Sequence, residues 1–471
     1  MKRYRIKLGT LWVIGSLLLG VIVMVAPASA AATLACGTKI MKSTTLQADV
    51  GPCPRDGLVI GADNITLNLN GHRIFGTDGT AADDSSATAG IRLPMRKGVV
   101  ITGAMQPGSS VEGFDAGVFV NGGSGNTIQG LYIHDNMGSP NINAALLGDG
   151  IALFNSSGNR IFNNRLVRNG WYDNVAVLGP AANDNTVQGN TMTDSPAMGR
   201  GSGYGIVVDA YLDAPTGKVI HGNNVVDNTV QNNGGSGISN VNTTNATVAR
   251  NTVTGNRLHG IGASLGLQPE TRVGNMTIED NLSSNNGQFG FDIRSDGNTI
   301  RRNTSTQNRQ GMIVWFGTTG NQITTNKLQR NGTVFYDVQI YLLGGGNLVQ
   351  SNTVTDSIGG GIVSELADPP DAEHPGNRII SNFSVNNDSS GSGYYADLAD
   401  MAWNWPDCDS FWFDNTYVTA YPECTTNGGH QVAAGTPPPP GSRTGAPGQS
   451  ATAATVRSSD GDPAAIVRRS R

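Results

Sequence analysis

Charge is the first thing this sequence is short of. Asp, Glu, Lys and Arg make up 14% of its 471 residues, and aromatic residues only 6%, where an average soluble chain carries roughly 25% charged residues. Low charge with abundant Asn, Ser, Thr and Gly describes a turn-rich β protein better than a helical one. The net charge is −5 and no basic cluster falls in the central region, which argues against nucleic acid as a partner. Beyond Leu8–Ala26 there is no apolar run long enough to cross a bilayer. His72, His134, His221, His259, His374 and His430 are scattered without metal-ligand spacing. The calcium-binding nonapeptide G-G-x-G-x-D is absent. No cofactor is evident from these patterns.

What is present begins with a targeting segment. Lys2, Arg3, Arg5 and Lys7 precede the apolar stretch, and Ala28-Ser29-Ala30 offers small residues for cleavage. Residues 1–30 therefore read as a signal peptide, and the mature chain as secreted or cell-surface, with no membrane span after cleavage. The four Cys fit export. Local pairs Cys36–Cys53 and Cys408–Cys424 are favoured among the three connectivities, each worth about 2–3 kcal/mol in the chain-entropy model. Neither spacing is C-x-x-C.

Gly, at 64 residues, supplies many tight turns because it reaches positive φ without a Cβ clash. From Asn126 onward one phrase recurs: Asn126-Thr-Ile128, Asn159-Arg-Ile161, Asn185-Thr-Val187, Asn298-Thr-Ile300, Asn321-Gln-Ile323. A second Asn follows most of these at a fixed distance, as in Asn164, Asn190, Asn303 and Asn326, and the shortest intervals are 22 and 23 residues. A coil of that length holds three short strands and three turns. Alone it cannot bury its apolar side, but coils stacked about 4.8 Å apart share one core and one hydrogen-bond ladder. The recurrent Asn is expected to take the left-handed turn geometry itself and to bond its equivalent one coil away. The fold expected is all-β, a single-stranded right-handed parallel β-helix with three short strands per coil.

The organisation follows: an N-terminal cap and first coils over 36–125, repeats over 126–400, a C-terminal cap over 401–425, and a disordered Pro/Gly/Ser/Ala-rich tail over 431–471. The aromatic cluster Trp403, Trp405, Phe411, Trp412, Phe413 and Tyr417 beside the second Cys pair suits a cap over the last sheet edge. A monomer is expected.

Within a coil, the strand G-I-x-[VL] points its first and third apolar residues inward, so others face solvent. Calling the first inward residue position zero, zero falls on Ile151, Val175, Ile206, Ile238, Ile261, Phe291, Met312, Val338, Ile362 and Tyr394. An outward row at plus three then holds Asp209, Arg294, Trp315, Tyr341 and Glu365. Aromatic faces there suit sugar rings, with Arg and Glu for hydroxyls or a carboxylate. A minus-two row holds Asp149, Asp173, Tyr204 and His259. Asp149 and Asp173 would lie about 5 Å apart on adjacent coils, a separation that suits a retaining glycosidase pair or part of a calcium site.

The early stretch D-G-L-V-I-G-A-D-N-I-T-L-N-L-N-G-H-R-I-F-G (56–76) resembles the first coil of bacterial parallel β-helix repeat proteins in the pectate-lyase-like superfamily. Phe289-Gly-Phe-Asp292-Ile-Arg294 is similar to the Tyr-Gly-Phe-Asp-Pro-His motif of mannuronan C5-epimerases, which share that fold. The resemblance puts Asp292 at the family's catalytic Asp. It departs at Phe289, which lacks the hydroxyl, and at Arg294, which replaces a His and keeps its proton at any working pH. A copper-maturation role, like that of some periplasmic β-helix proteins, finds no support in the His pattern. The functional expectation is an exported protein that binds or processes polysaccharide as a lyase, hydrolase or epimerase. Its alternative is a non-catalytic glycan-binding surface protein. Asp149, Asp173, Asp292 and Arg294 are the catalytic candidates. Tyr204, Asp209, His259, Trp315, Tyr341 and Glu365 are the substrate-binding ones.

Overall fold

The repeated phrase folds into three long sheets wound as a right-handed parallel β-helix. In the computed structural model, residues 33–438 are described apart from 78–87, 106–107, 139–147, 171, 197–202, 211–218, 265–273, 367–369, 371–374, 392–394 and 402–406. The expected signal segment, Tyr394, Trp403, Trp405 and most of the expected tail fall outside them. Sheet 1 has 15 strands, from Thr38–Ile40 to Ala420–Tyr421. Sheet 2 has 14, from Thr44–Thr45 to Phe411–Phe413, and sheet 3 has 15, from Val50–Cys53 to His430–Gln431. Each strand pairs in parallel with its equivalents one coil before and after.

The core is a column of aliphatic residues. Ile151, Val175, Ile206, Ile238, Ile261, Phe291 and Met312 stack in register from sheet 1 and are fully buried. Asn ladders close the turns. Asn298 Nδ2 donates to Asn321 Oδ1 at 2.8 Å, and its backbone N–H donates to the same oxygen at 3.0 Å. Asn303 repeats the pattern with Asn326. A third ladder, through Asn256, Asn286, Asn308 and Asn331, runs between sheets 3 and 1. The left-handed residue is not the ladder Asn, as expected, but the one before many of them: Asn163, Asp280 and Arg302 have φ of 53°, 55° and 54°. The turn residue frees its neighbour to point inward and satisfy buried backbone N–H groups.

The Gly that opens many sheet 1 strands has its own steric cause. A Cβ on Gly290 would stand 2.6 Å from the Gly311 carbonyl oxygen and 2.8 Å from the ladder amide of Asn308. At this coil no Cβ fits, while on other coils Asn174, Gln339 and Asp397 hold the same place and accept from the ladder amide instead.

Both disulfides form the expected local pairs, with Cα–Cα distances of 5.5 and 5.8 Å. Such bonds persist in oxidising compartments, and the chain is extracytoplasmic. At the C-terminal end the coils run on: 401–425 contributes Phe411–Phe413, Thr416–Tyr417 and Ala420–Tyr421 to the three sheets. Trp412 is buried and its indole N–H donates to Asp400 at 2.7 Å. His430–Gln431 then pairs with Thr416–Tyr417, so the start of the expected tail belongs to the last coil.

Register corrects one part of the sequence reading. Met312 pairs with Ile340, not Val338, and Ile362 pairs with Leu398. Val338, Ile340 and Leu342 are all fully buried. Alternation of period two is unchanged by a slip of two residues, so the pattern alone could not choose among them. Tyr341 consequently leaves the plus-three row and joins plus-one, between Ile313 and Val363.

Candidate functional site

The outer face of sheet 1 gathers the candidates, and strand pairing explains why. The minus-two row runs Asp149, Asp173, Tyr204, Ser236, His259, Phe289, Gln310, as expected, because every strand from Asp149–Phe154 to Gln310–Val314 keeps one register. Plus-three carries Asp209, then Arg294 and Trp315 on adjacent coils.

Asp292 is the hub. Its side chain is only 5% exposed, and Arg294 Nε donates to both carboxylate oxygens at 2.9 and 3.1 Å. Trp315 Nε1 donates to Oδ1 at 2.7 Å, and His259 Nε2 lies 3.4 Å from Oδ2. The Arg294 guanidinium rests 4.5 Å above the Trp315 ring, a cation–π contact. His259 stacks on Phe289 with centroids 5.0 Å apart and planes 3° from parallel, and Phe289 meets Trp315 edge-on at 6.1 Å. Arg294 spends Nε on Asp292, while its two terminal nitrogens have no hydrogen-bond partner among the described residues. About a third of its side chain meets solvent.

The electrostatics divide this face in two. Burial pushes the Asp292 carboxyl up, but the opposing charges of His259 and Arg294 and the bonds from Arg294 and Trp315 outweigh it and hold the group below its usual value. Burial lowers the His259 imidazole, and Arg294 adds to that against the pull of Asp292. The imidazole is therefore neutral at pH 7, so Arg294 and the Trp315 N–H stabilise the carboxylate there. His259 Nδ1 is buried without a partner among the described residues.

Five and four coils away, Asp149 and Asp173 have no cationic partner among the described residues. Asp149 and Asp173 are 1% and 5% exposed; Asp149 Oδ1 accepts the Asp173 backbone N–H at 3.0 Å, and Asp173 Oδ1 accepts that of Tyr204 at 3.0 Å. Burial raises the Asp149 carboxyl to about 8, and burial with the Asp149 charge raises Asp173 well above the usual range. Burial and the nearby Asp173 and Asp209 push the Tyr204 phenol up to about 12. The register thus places Asp149 and Asp173 together as expected, but as a closed, backbone-bonded pair.

Tyr341 and Glu365 form a separate group. The Tyr341 hydroxyl donates to Glu365, and burial, Tyr395 and Glu365 all raise its phenol. They stand two and three coils from Asp292. The sequence reading set Phe289 next to His259 on this row but did not name it as a site residue.

Among the described residues no group of three or more His, Cys, Asp and Glu could hold an ion, and no cysteine is free. His134 is wedged between Glu112 at 2.5 Å and Asp135 at 2.6 Å, each carboxylate taking one ring nitrogen. His259 faces one carboxylate. The Asp149–Asp173 pair offers calcium two carboxylates already engaged by backbone N–H groups.

A family model described as "Periplasmic copper-binding protein (NosD)" matches residues 109–342, just under half of the chain. No curated protein matches the sequence. Among solved structures, the A-module of the Azotobacter vinelandii mannuronan C-5 epimerase AlgE6 is 16% identical, with 84% of this chain and 91% of that chain covered at a TM-score of 0.47. A double mutant of the periplasmic alginate epimerase AlgG is 13% identical, covering 80% and 78% at 0.45. The Dettilon tailspike protein is 17% identical, covering 74% and 59% at 0.44. Copper is named for the matching family, and this chain's described residues do not supply its ligands.

Proposed function

We propose that the outer face of sheet 1 binds an acidic polysaccharide, with Arg294 as its carboxylate anchor. One observation carries this reading. Asp292 fixes the guanidinium through Nε, Trp315 supports it from beneath, and neither terminal nitrogen has a hydrogen-bond partner among the described residues. A planar fork presented in this way suits a carboxylate in bidentate geometry. Trp315 and Phe289 beside it suit the apolar faces of sugar rings. Tyr204, Asp209 and Glu365 would supply hydroxyl contacts further along the face. The copper named for the matching family has no counterpart in this reading.

His259 favours a second reading, in which the bound sugar is also processed. His259 Nε2 faces Asp292 and Nδ1 is buried, so the imidazole would accept a proton only after its ring turns out from Phe289; the Tyr204 phenol, protonated at working pH, is the candidate donor. Asp149 and Asp173 lie beyond Tyr204 and would act through it. Lyase and epimerase chemistry both begin with such a proton transfer; a hydrolase would call on the Asp pair instead.

Calorimetric titration with alginate, polygalacturonate and hyaluronan oligosaccharides tests the binding. Affinity for at least one, reduced 30-fold or more in Arg294→Gln, is expected. Equal affinity of the variant would remove the anchor role, and absence of binding throughout the panel would remove the reading. Chromatography of the incubated glycans then separates the two versions: an altered product that His259→Gln abolishes supports processing, and unchanged glycans support binding alone.

A further inference from the structure

The turn that leads out of the Trp315 strand is longer than its neighbours. Ile293, Val314 and Leu342 pair in register on successive strands of sheet 1, and Asn298, Asn321 and Asn347 stack in the ladder that follows. Asn298 is the fifth residue after Ile293 and Asn347 the fifth after Leu342, but Asn321 is the seventh after Val314. The flanking coils close without the two extra residues, so the winding of the helix does not require them. Gly317 takes a φ of 72°, and a Cβ placed on it would meet nothing within 4 Å among the described residues. The turn therefore stands clear of its neighbours. Beside Gly317, Phe316 is 54% exposed, the most open phenylalanine among the described residues. Its perch is fixed: the buried Thr318 donates its hydroxyl to the Trp315 carbonyl at 2.6 Å, and the Thr319 N–H donates to Asp296 at 2.9 Å. An apolar ring held in water by a turn that the fold does not need points to a ligand rather than to packing.

We infer that Phe316 forms a second glycan subsite, which stacks on the apolar face of the sugar next to the one whose carboxylate Arg294 takes. The inference rests on the acidic-polysaccharide reading and adds to it a neighbouring sugar and a direction. Phe316 joins the Arg294 site by direct contacts. Its ring meets Trp315 edge-on, with centroids 6.1 Å apart and planes at 77°, and the same indole carries the Arg294 guanidinium at 4.5 Å and touches Phe289. The 6.1 Å step is close to the length of one linked sugar. A bound glycan would thus leave Arg294 across the Trp315 coil, towards the strand Gln322–Thr324 of sheet 2, rather than along the helix axis. The two subsites read different chemistry. Arg294 reads charge, whereas the phenyl ring carries no polar atom and suits the C–H face of a sugar, whose arrival takes exposed aromatic surface out of water.

Salt separates the two contributions, because ionic strength screens an exposed charge contact and leaves an apolar one in place. Tetrasaccharides cut from alginate, polygalacturonate and hyaluronan, titrated calorimetrically against the full chain at low and high salt, are the probes. For whichever glycan binds, Phe316→Ala is expected to lower the affinity about fivefold, the size of one aromatic contact, at both salt concentrations. Phe316→Trp is expected to keep the parent affinity, and the loss in Arg294→Gln to shrink as salt rises. An unchanged affinity in Phe316→Ala overturns the subsite while the Arg294 site stands. So does a loss that Phe316→Trp fails to recover, or one that shrinks with salt as in Arg294→Gln, since Phe316 would then act only through the guanidinium. If no glycan binds the parent protein, the underlying reading fails and the subsite with it. Circular dichroism of each variant separates a lost subsite from a lost fold.

Discussion

Two buried aspartates on one face of one sheet behave in opposite ways. Asp292 and Asp149 are 3% and 1% exposed. Asp292 has a guanidinium on both oxygens and an indole N–H on one, and it stays ionised. Asp149 has backbone N–H donors and a second carboxyl beside it, and it holds its proton to about pH 8. Burial is common to both, and the neighbouring charge decides the outcome. The two sit on different rows of the same sheet, and the groups on their own and adjacent strands turn one into an anchor and the other into an acid.

The largest effect is expected from breaking the anchor. Arg294→Ala leaves a buried carboxylate with no cation, which should cost about 2–3 kcal/mol, less than the 3–5 typical of a fully buried pair because Arg294 is partly solvated. Urea unfolding measures this. Asp292→Asn added to Arg294→Ala should recover most of the stability and none of the glycan binding. If the double variant is as unstable as the single one, the Asp292 charge is not the cause.

The next effect sharpens the other half of the comparison through pH. A carboxyl raised from 3.8 to about 8 in the folded chain keeps a proton that the unfolded chain has already released. Stability from this group is therefore full below pH 4, falls as pH rises from about 4 to 8, and is level above. Asp149→Asn keeps an oxygen for the Asp173 N–H and removes that fall. Its melting temperature should exceed that of the parent by several degrees at pH 8, at about 2–4 °C per kcal/mol for a long chain, with little difference at pH 4. An equal gain at both pH values would show that the pair is not protonated in the fold.

The smallest effect separates ring from donor. Trp315→Phe keeps an aromatic surface under Arg294 but removes the N–H on Asp292, one hydrogen bond to a charged group worth about 1.5–3 kcal/mol. The stability loss should sit at the low end, since Arg294 still holds both oxygens, and glycan affinity should fall less than threefold. A loss as large as that of Arg294→Gln would mean that the indole N–H, rather than the guanidinium, reads the ligand.

These contrasts also mark what could be read from residues alone. The three-strand coil followed from Asn298-Thr-Ile300 and its echoes, because stacking forces one spacing on every repeat. The register of Asp149 through Gln310 followed from Gly-Ile and Gly-Phe strand openings, where a Gly and a single apolar residue leave one alignment. It failed at Val338-Gln-Ile340-Tyr-Leu342, where each second residue is apolar and three registers bury equally well. The candidate site shows the same limit. Asp292, Arg294 and Trp315 share a motif or a row and were visible together. His259 and Phe289, 30 residues apart, share the minus-two row on adjacent coils, which the repeat spacing shows, but the parallel stacking of their rings does not follow from it.

The central claim is that the Arg294 fork recognises a carboxylate. Its most direct test is to take the glycan that binds, reduce its uronate carboxyls to primary alcohols, and titrate both forms at matched length. The account predicts that reduction lowers affinity for the parent protein at least 30-fold and has little effect on what remains in Arg294→Gln. Equal binding of the acidic and reduced polymers by the parent protein would contradict it.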